Sequence, residues 1–301
     1  MSSQAPARDL ALTFAGGGNR CFYQVGFWEA FAERLTPRLA AVAGVSAGAC
    51  MLSIMAAKRL RETTIFFRAR RAGLLRNLDW TAVLRREPVA PHEGVYRDTV
   101  LFACEEGGFE NIRACPFPIY VLAARFPKRL SPRLGTLVGY TAFILEKRLS
   151  PGTVHPSLGR RLGFRPLIRD ARTCETPEEL VDLILASSAT PPFTPLGKLR
   201  GQHLIDGGLI DNVPAFVAER HGDVRRNIVV MTRPYPREKL GAQGNRFYVA
   251  PEDMPPASIW DYRRNAPVDE ARELGRREAV KYGPELWQFV GESATQAPAT
   301  S

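Results

Sequence analysis

A chain of 301 residues with 45% hydrophobic content can bury one large core or two ordinary ones. Its formal net charge of +10 implies attraction to an anionic surface, lipid headgroup or nucleic acid, unless the basic exterior is only solvated. The five cysteines (Cys21, Cys50, Cys104, Cys115, Cys174) are scattered and lack C-x-x-C spacing, which argues against a disulfide framework or a zinc site and for a reducing compartment.

No secretory leader is expected, because Asp9 arrives early and the apolar stretch 10–15 is too short for a signal core. Residues 9–15 read as a first strand running into Gly16-Gly17-Gly18. A helix follows from about Arg20 to Leu35, with Cys21, Val25, Trp28, Ala32 and Leu35 at helical spacing on its buried face. Leu39–Ala43 reads as a short buried strand and Ala47–Ala57 as an apolar helix. Residues 39–57 carry no charge and approach the length of a membrane span. Their Ala and Gly content makes them poor inserters, so strand plus buried helix is the better reading. The strand–helix–strand–helix order favours a parallel sheet.

From Lys58 to about Arg113 the pattern is helical and strongly basic, with Phe66, Phe67, Leu74, Leu75, Leu78 and Trp80 among arginines. Phe117–Phe126 reads as a buried strand between Pro116 and Pro127. The stretch 128–173 alternates short apolar runs with Arg and Pro, and is expected to be a substrate-facing excursion or cap. Thr176-Pro177-Glu178-Glu179 is a capping box with Pro at the first helical position, opening a helix to about Ser187. His203–Ile205 reads as a strand that delivers Asp206, and Val213–Arg220 as a short helix before Gly222. Asn227–Thr232 and Arg246–Val249 give two more strands, and a last helix from about Val268 is expected to stop at Gly283-Pro284. The result is one α/β domain over 9–292, with 58–175 partly a helical or cap-like excursion, between disordered tails at 1–8 and 293–301.

Gly44-Val45-Ser46-Ala47-Gly48 is a G-x-S-x-G pentapeptide in the strand–turn–helix frame that a serine nucleophile needs. The glycines remove side chains that would clash at the sharp turn, so the Ser46 hydroxyl can project toward substrate. A serine needs a base to take its proton. His203 lies on a probable strand and points to the face opposite Asp206. Asp206, at a strand's C-terminal end with Gly207 and Gly208 allowing close approach, is the better candidate once burial makes its carboxylate more basic. Gly16–Gly18 lie between a strand and a helix, where backbone N–H groups converge on a point suited to an oxyanion. A nucleotide loop is disfavoured, since no Lys-Ser/Thr follows.

These three motifs in order, Gly16-Gly17-Gly18-Asn19-Arg20, Gly44–Gly48 and Asp206-Gly207-Gly208, together resemble the patatin-like phospholipases, Ser–Asp dyad lipid acyl hydrolases. The resemblance extends to Ala186–Pro195 and Gly208–Pro214, covers Leu10 to the final helix, and is poor in the middle third. It implies a three-layer α/β/α fold with a central, mostly parallel sheet and a Ser46–Asp206 dyad forming an acyl-enzyme. It also implies an oxyanion loop of Gly16–Gly18 supported by Asn19 and Arg20, no metal or cofactor, and a phospholipid or other fatty-acyl ester as substrate. Cys21 stands where the family commonly has glycine.

Two alternatives remain open on the residues. One is an α/β-hydrolase triad of Ser46, Asp206 and His221, disfavoured because His221 sits at a helix end before Gly222. The other is a basic lipid- or nucleic-acid-binding protein that uses the Arg68–Arg86 region. For the enzyme, peripheral attachment to anionic membrane from the cytoplasm is expected through Arg68, Arg70, Arg71, Arg76, Arg85 and Arg86, with no nucleic acid partner.

Overall fold

The computed structural model describes residues 7–78, 90–150, 152–191 and 194–291. Trp80, Arg85, Arg86, Pro192, Phe193 and the expected tails other than Ala7 and Arg8 lie outside these residues.

Nine strands form one sheet: β1 (Leu10–Phe14), β2 (Leu39–Val45), β3 (Ile119–Arg125), β4 (Arg165–Asp170), β5 (Gly197–Leu199), β6 (Gln202–Asp206), β7 (Arg226–Val230), β8 (Gly241–Gln243) and β9 (Arg246–Val249). Hydrogen-bonded neighbours run β5-β6-β3-β2-β1-β7-β9-β8, and β4 also pairs with β3. The centre, β3-β2-β1-β7-β9, is parallel, while β4, β5, β6 and β8 add antiparallel flanks. Parallel strands are covered on both faces, which is why β1 and β2 are continuous apolar runs buried at every position. Alternation sorts the side chains into two cores. Leu10, Leu12, Phe14, Ile119 and Val121 enter one, and Ala11, Ala43, Val45, Leu122 and Ala124 the other.

The first core is covered by α1 (Cys21–Glu29), α2 (Ala32–Leu35), α3 (Ala47–Ala56), α4 (Leu60–Arg71), α5 (His92–Cys104), α6 (Gly108–Arg113), α9 (Pro177–Ser187) and α12 (Val268–Val290). The opposite face carries α7 (Pro132–Leu149), α8 (Leu158–Arg161), α10 (Gly208–Asp211) and α11 (Ala215–Ala218). This is the mixed α/β architecture around a mostly parallel sheet that the sequence suggests.

Several expected elements differ in extent. The helix expected over 20–35 breaks after Glu29, because Phe31 turns inward to pack edge-on against Trp287, ring centroids 5.4 Å apart. The helix expected over Val213–Arg220 shortens to α11, Ala215–Ala218, which starts after Pro214, and a separate short helix, α10, precedes it at Gly208–Asp211. Instead of stopping at Gly283-Pro284, α12 runs through to Val290 and ends at Gly291 in the left-handed conformation, φ 77°. Pro284 leaves the Val280 carbonyl without its helical donor, and Val280 is on the exposed face, where water can serve it. The stretch 128–173, expected as a substrate-facing excursion or cap, holds the 18-residue α7, the short α8, and β4, which pairs with β3. Arg8, expected in a disordered tail, donates to Leu39 O at 2.9 Å.

Of the arginines expected to dock on membrane, three have partners within the protein, Arg76 is exposed, and Arg85 and Arg86 lie outside the described residues. Arg68 pairs with Asp269, and Arg70 with Asp98 at 2.7 Å. Arg71 is buried, donating to Arg263 O at 2.8 Å with its guanidinium over the Phe67 ring. Phe66 stacks on Phe102. All five cysteines are free, and no described helix is long and apolar enough to cross a membrane.

Candidate active site

Sheet register brings Ser46 and Asp206 together. β4 pairs with residues 120–125 of β3 and so takes one whole edge of that strand. β2, paired with 119–122, and β6, paired with 123–125, must therefore share the other edge end to end. Val45 lies opposite Leu122 and Asp206 opposite the next residue, Ala123. The chain leaves β2 as Ser46 and β6 as Asp206 at that junction.

Ser46 has φ 55° and ψ −134°, a conformation that costs a non-glycine residue about 1–3 kcal/mol. Its surroundings hold it there. The Ser46 N–H donates to Ser187 Oγ at 2.8 Å, and that hydroxyl donates to Leu122 O at 2.6 Å. The Ser46 carbonyl accepts from the Ala49 and Cys50 N–H groups, starting α3. A Cβ at Gly48 would lie 2.5 Å from Ala15 O, so the glycine lets the helix seat directly against the glycine loop. The positive end of α3 thus opens beside the Ser46 hydroxyl.

The Asp206 carboxylate is half-buried and accepts from the Gly208 N–H at 2.6 Å, with the Ser46 hydroxyl beside it. Burial pushes it up to about 6, against the opposing pull of the Gly208 N–H, the Ser46 hydroxyl and the Lys147 charge. Such a carboxylate is more basic than an ordinary Asp and is still ionised at neutral pH.

The glycine loop is clamped from outside. The Gly16 N–H donates to Asn212 O at 3.0 Å, and Gly16 O accepts from Asn212 Nδ2 at 3.1 Å and Thr232 Oγ1 at 2.8 Å. Gly16 is therefore an anchor with its own N–H engaged. Gly18 takes φ 55°, and the N–H groups of Gly17 and Gly18 have no acceptor among the described residues. The Asn19 side chain is turned away, donating to Asp261 O. Cys21 replaces the expected glycine without opening the loop: its thiol, buried and pushed far up in pKa by that burial, contacts Ala15 O at 3.6 Å and links the loop's two ends.

These groups line a cavity of about 450 Å³ walled by Tyr96, Tyr140, Phe143, Ile259 and Trp260. A narrow apolar slit shares Gly18, Ala47, Tyr96 and Tyr262 with it and runs between α3, α4 and α5 past Met51, Ile54 and Phe67. Arg20, Lys147 and Arg233 also reach the cavity, where Asp206 is the sole carboxylate among the described lining residues. The Lys147 ammonium lies 4.1 Å from the Phe143 ring centroid and is brought down to about 8 by desolvation, then by the Arg233 and Arg20 charges. Desolvation, then Arg233, also lowers Arg20, whose Nε is buried without a hydrogen-bond partner among the described residues.

A sequence profile of the family described as Patatin-like phospholipase matches residues 12–219. The chain belongs to the patatin-like phospholipase family. Membership carries lipid acyl hydrolase activity at the level of the family. No curated protein matches the chain. Among solved structures it is similar to VipD from Legionella pneumophila, at 14% identity and a TM-score of 0.47, over 92% of this chain and 67% of that one.

No histidine lines this patatin-like cavity among the described residues. His221 sits beyond α11 with Asp223 at 3.9 Å, His155 bonds Asp211, His92 contacts Trp260 O, and His203 is exposed. Motif reading finds Ser46, Asp206 and the glycines but not Tyr140, Phe143, Lys147 or Arg233. Those four have no local signature, because they reach the site only through the placement of α7 and the turn after β7.

Proposed function

We propose that the protein hydrolyses fatty-acyl esters of phospholipids through an acyl-enzyme on Ser46, with Asp206 as general base. The observation that carries this reading is Ser46, on a strained turn at the junction of β2 and β6, beside an Asp206 carboxylate raised to about 6. In this mechanism Ser46 Oγ attacks the ester carbonyl carbon as Asp206 takes its proton. The N–H groups of Gly17 and Gly18, with the α3 N-terminus, stabilise the oxyanion. Collapse breaks the ester C–O bond, and Asp206 returns the proton to the leaving alcohol. Water then attacks the acyl-enzyme with Asp206 again as base, releasing fatty acid and free Ser46. The apolar walls of the main cavity, Tyr96, Tyr140, Phe143, Ile259 and Trp260, support acyl-chain binding, and the Arg20, Lys147 and Arg233 charges support an anionic phosphate. The enzyme attaches peripherally to membrane and does not act on nucleic acid. A triad with His221 has no support, since that ring does not line the cavity.

Fluorophosphonate labelling followed by peptide mass spectrometry tests the proposal. The adduct is expected on Ser46, absent from Ser46→Ala, and formed at near wild-type rate by His221→Ala. Substantial ester turnover by folded Ser46→Ala would sink the acyl-enzyme.

A further inference from the structure

Ten large hydrophobic side chains are exposed among the described residues, and five of them lie on α7: Leu134, Leu137, Ile144, Leu145 and Leu149. A helix on a soluble protein ordinarily turns its large apolar residues to the core. α7 departs from this: Tyr140 and Phe143 are half-buried against the core, but its leucines are not. It packs on the body through Gly135, Gly139 and Ala142, where a Cβ at Gly139 would lie 2.9 Å from both Phe164 and Leu209. Small residues thus bring the helix close while the leucines, Leu137 at 65% exposure and Leu149 at 73%, face out. A third side of the same helix presents Tyr140, Phe143 and Lys147 to the catalytic cavity, and Ile144 belongs both to that cavity's lining and to the exposed set.

Charge is concentrated in the same place. Residues 125–165 hold nine Lys/Arg and one acidic residue, a net of +8 against +10 for the whole chain. Lys128, Arg129, Arg133 and Arg148 are exposed and have no carboxylate within ion-pair distance among the described residues. The one acid, Glu146, is turned inward to accept from the Ser157 N–H at 2.7 Å and the Leu158 N–H. Apolar side chains bounded by unpaired cations complement an anionic bilayer, whose head groups and acyl region meet within a few ångströms.

We propose that the outer face of α7 is the membrane-docking surface, with Leu134, Leu137 and Leu149 entering the lipid and Arg129, Arg133 and Arg148 on its head groups. The acyl-ester cavity then borders the bilayer directly, so a lipid need not cross water to reach Ser46. This rests on the proposed lipid hydrolase function for its purpose, but not for its measurement.

The test is sedimentation with phosphatidylglycerol or phosphatidylcholine vesicles, alongside turnover of soluble p-nitrophenyl butyrate. Wild type is expected to partition at least about tenfold better onto phosphatidylglycerol, an advantage that shrinks in high salt. Leu134→Ser/Leu137→Ser/Leu149→Ser and, separately, Arg129→Glu/Arg133→Glu are expected to lose at least about tenfold in that partition while soluble-ester turnover is unchanged. Wild-type partition by both variants would overturn the proposal. So would a wild-type dimer in vesicle-free buffer that the leucine variant renders monomeric, which would assign the face to self-association. Normal vesicle binding with no ester turnover by wild type would uphold docking and defeat the hydrolase reading.

Discussion

Asp206→Asn is expected to leave the protein more stable and nearly inactive. The Asp206 carboxyl is raised from 3.8 to about 6, chiefly by burial. Between these values the folded chain keeps a proton that the unfolded chain has released. Stability therefore falls as pH rises through this window, and the loss is complete above it. A shift of that size corresponds to about 3 kcal/mol against the fold at pH 8. Asn removes the titration and keeps an oxygen to accept from the Gly208 N–H, whose preference for the charged carboxylate is already inside that net shift. The gain is about 3 kcal/mol, or about 5 °C in melting temperature for a chain of this length. At about pH 3, with Asp206 protonated in both states of the wild type, the gain should disappear. Activity moves the other way, because an amide cannot take the Ser46 proton, and kcat/KM should fall by about 10²–10⁴. In the wild type, kcat/KM should itself decline below about pH 6 as the base protonates. Paired thermal melts at the two pH values, with ester turnover across the range between, measure all of this. Equal melting differences at both pH values would refute the burial argument, and wild-type turnover by Asp206→Asn would remove it as the base.

Ser46→Gly should raise stability by about 1 kcal/mol over Ser46→Ala, since glycine accepts φ 55° and alanine does not, with neither variant forming an acyl-enzyme. A Ser46→Gly protein that melts below Ser46→Ala would contradict the strain reading. Ser187→Ala strands the Ser46 N–H and Leu122 O, and should destabilise the protein by about 1–3 kcal/mol in urea titrations. It should also lower kcat by loosening the turn, so a kcat equal to wild type would show that the turn holds without this hydroxyl.

Local chemistry made much of the fold legible. Strands buried on both faces read as β1 and β2 because apolar runs need no partner information. The Thr176 box marks the start of α9 because it satisfies its own first turn: Thr176 Oγ1 accepts from the Glu179 N–H at 3.2 Å. Residues whose pattern is set by distant packing were misread or missed. α7 begins with a Ser131 cap and Pro132, yet its glycines face the body and its leucines face out, so no apolar stripe marks a core side. α12 continues through Pro284 because the rest of the helix packs across α1, holding it in place through the lost hydrogen bond.

The sequence by itself determined the family motifs and the chemistry they permit: a serine at a turn only small neighbours allow, and a carboxylate at a strand end. Tertiary structure decided their partnership. Asp206 meets Ser46 because β2 and β6 share one edge of β3, and its pKa rises because that junction is enclosed. It also placed the cations, pairing Arg68, Arg70 and Arg71 within the protein and bringing Arg20, Lys147 and Arg233 to one cavity. Backbone conformation is set mainly by near neighbours. Burial and charge depend on what the rest of the chain folds against a residue, and no local pattern carries that.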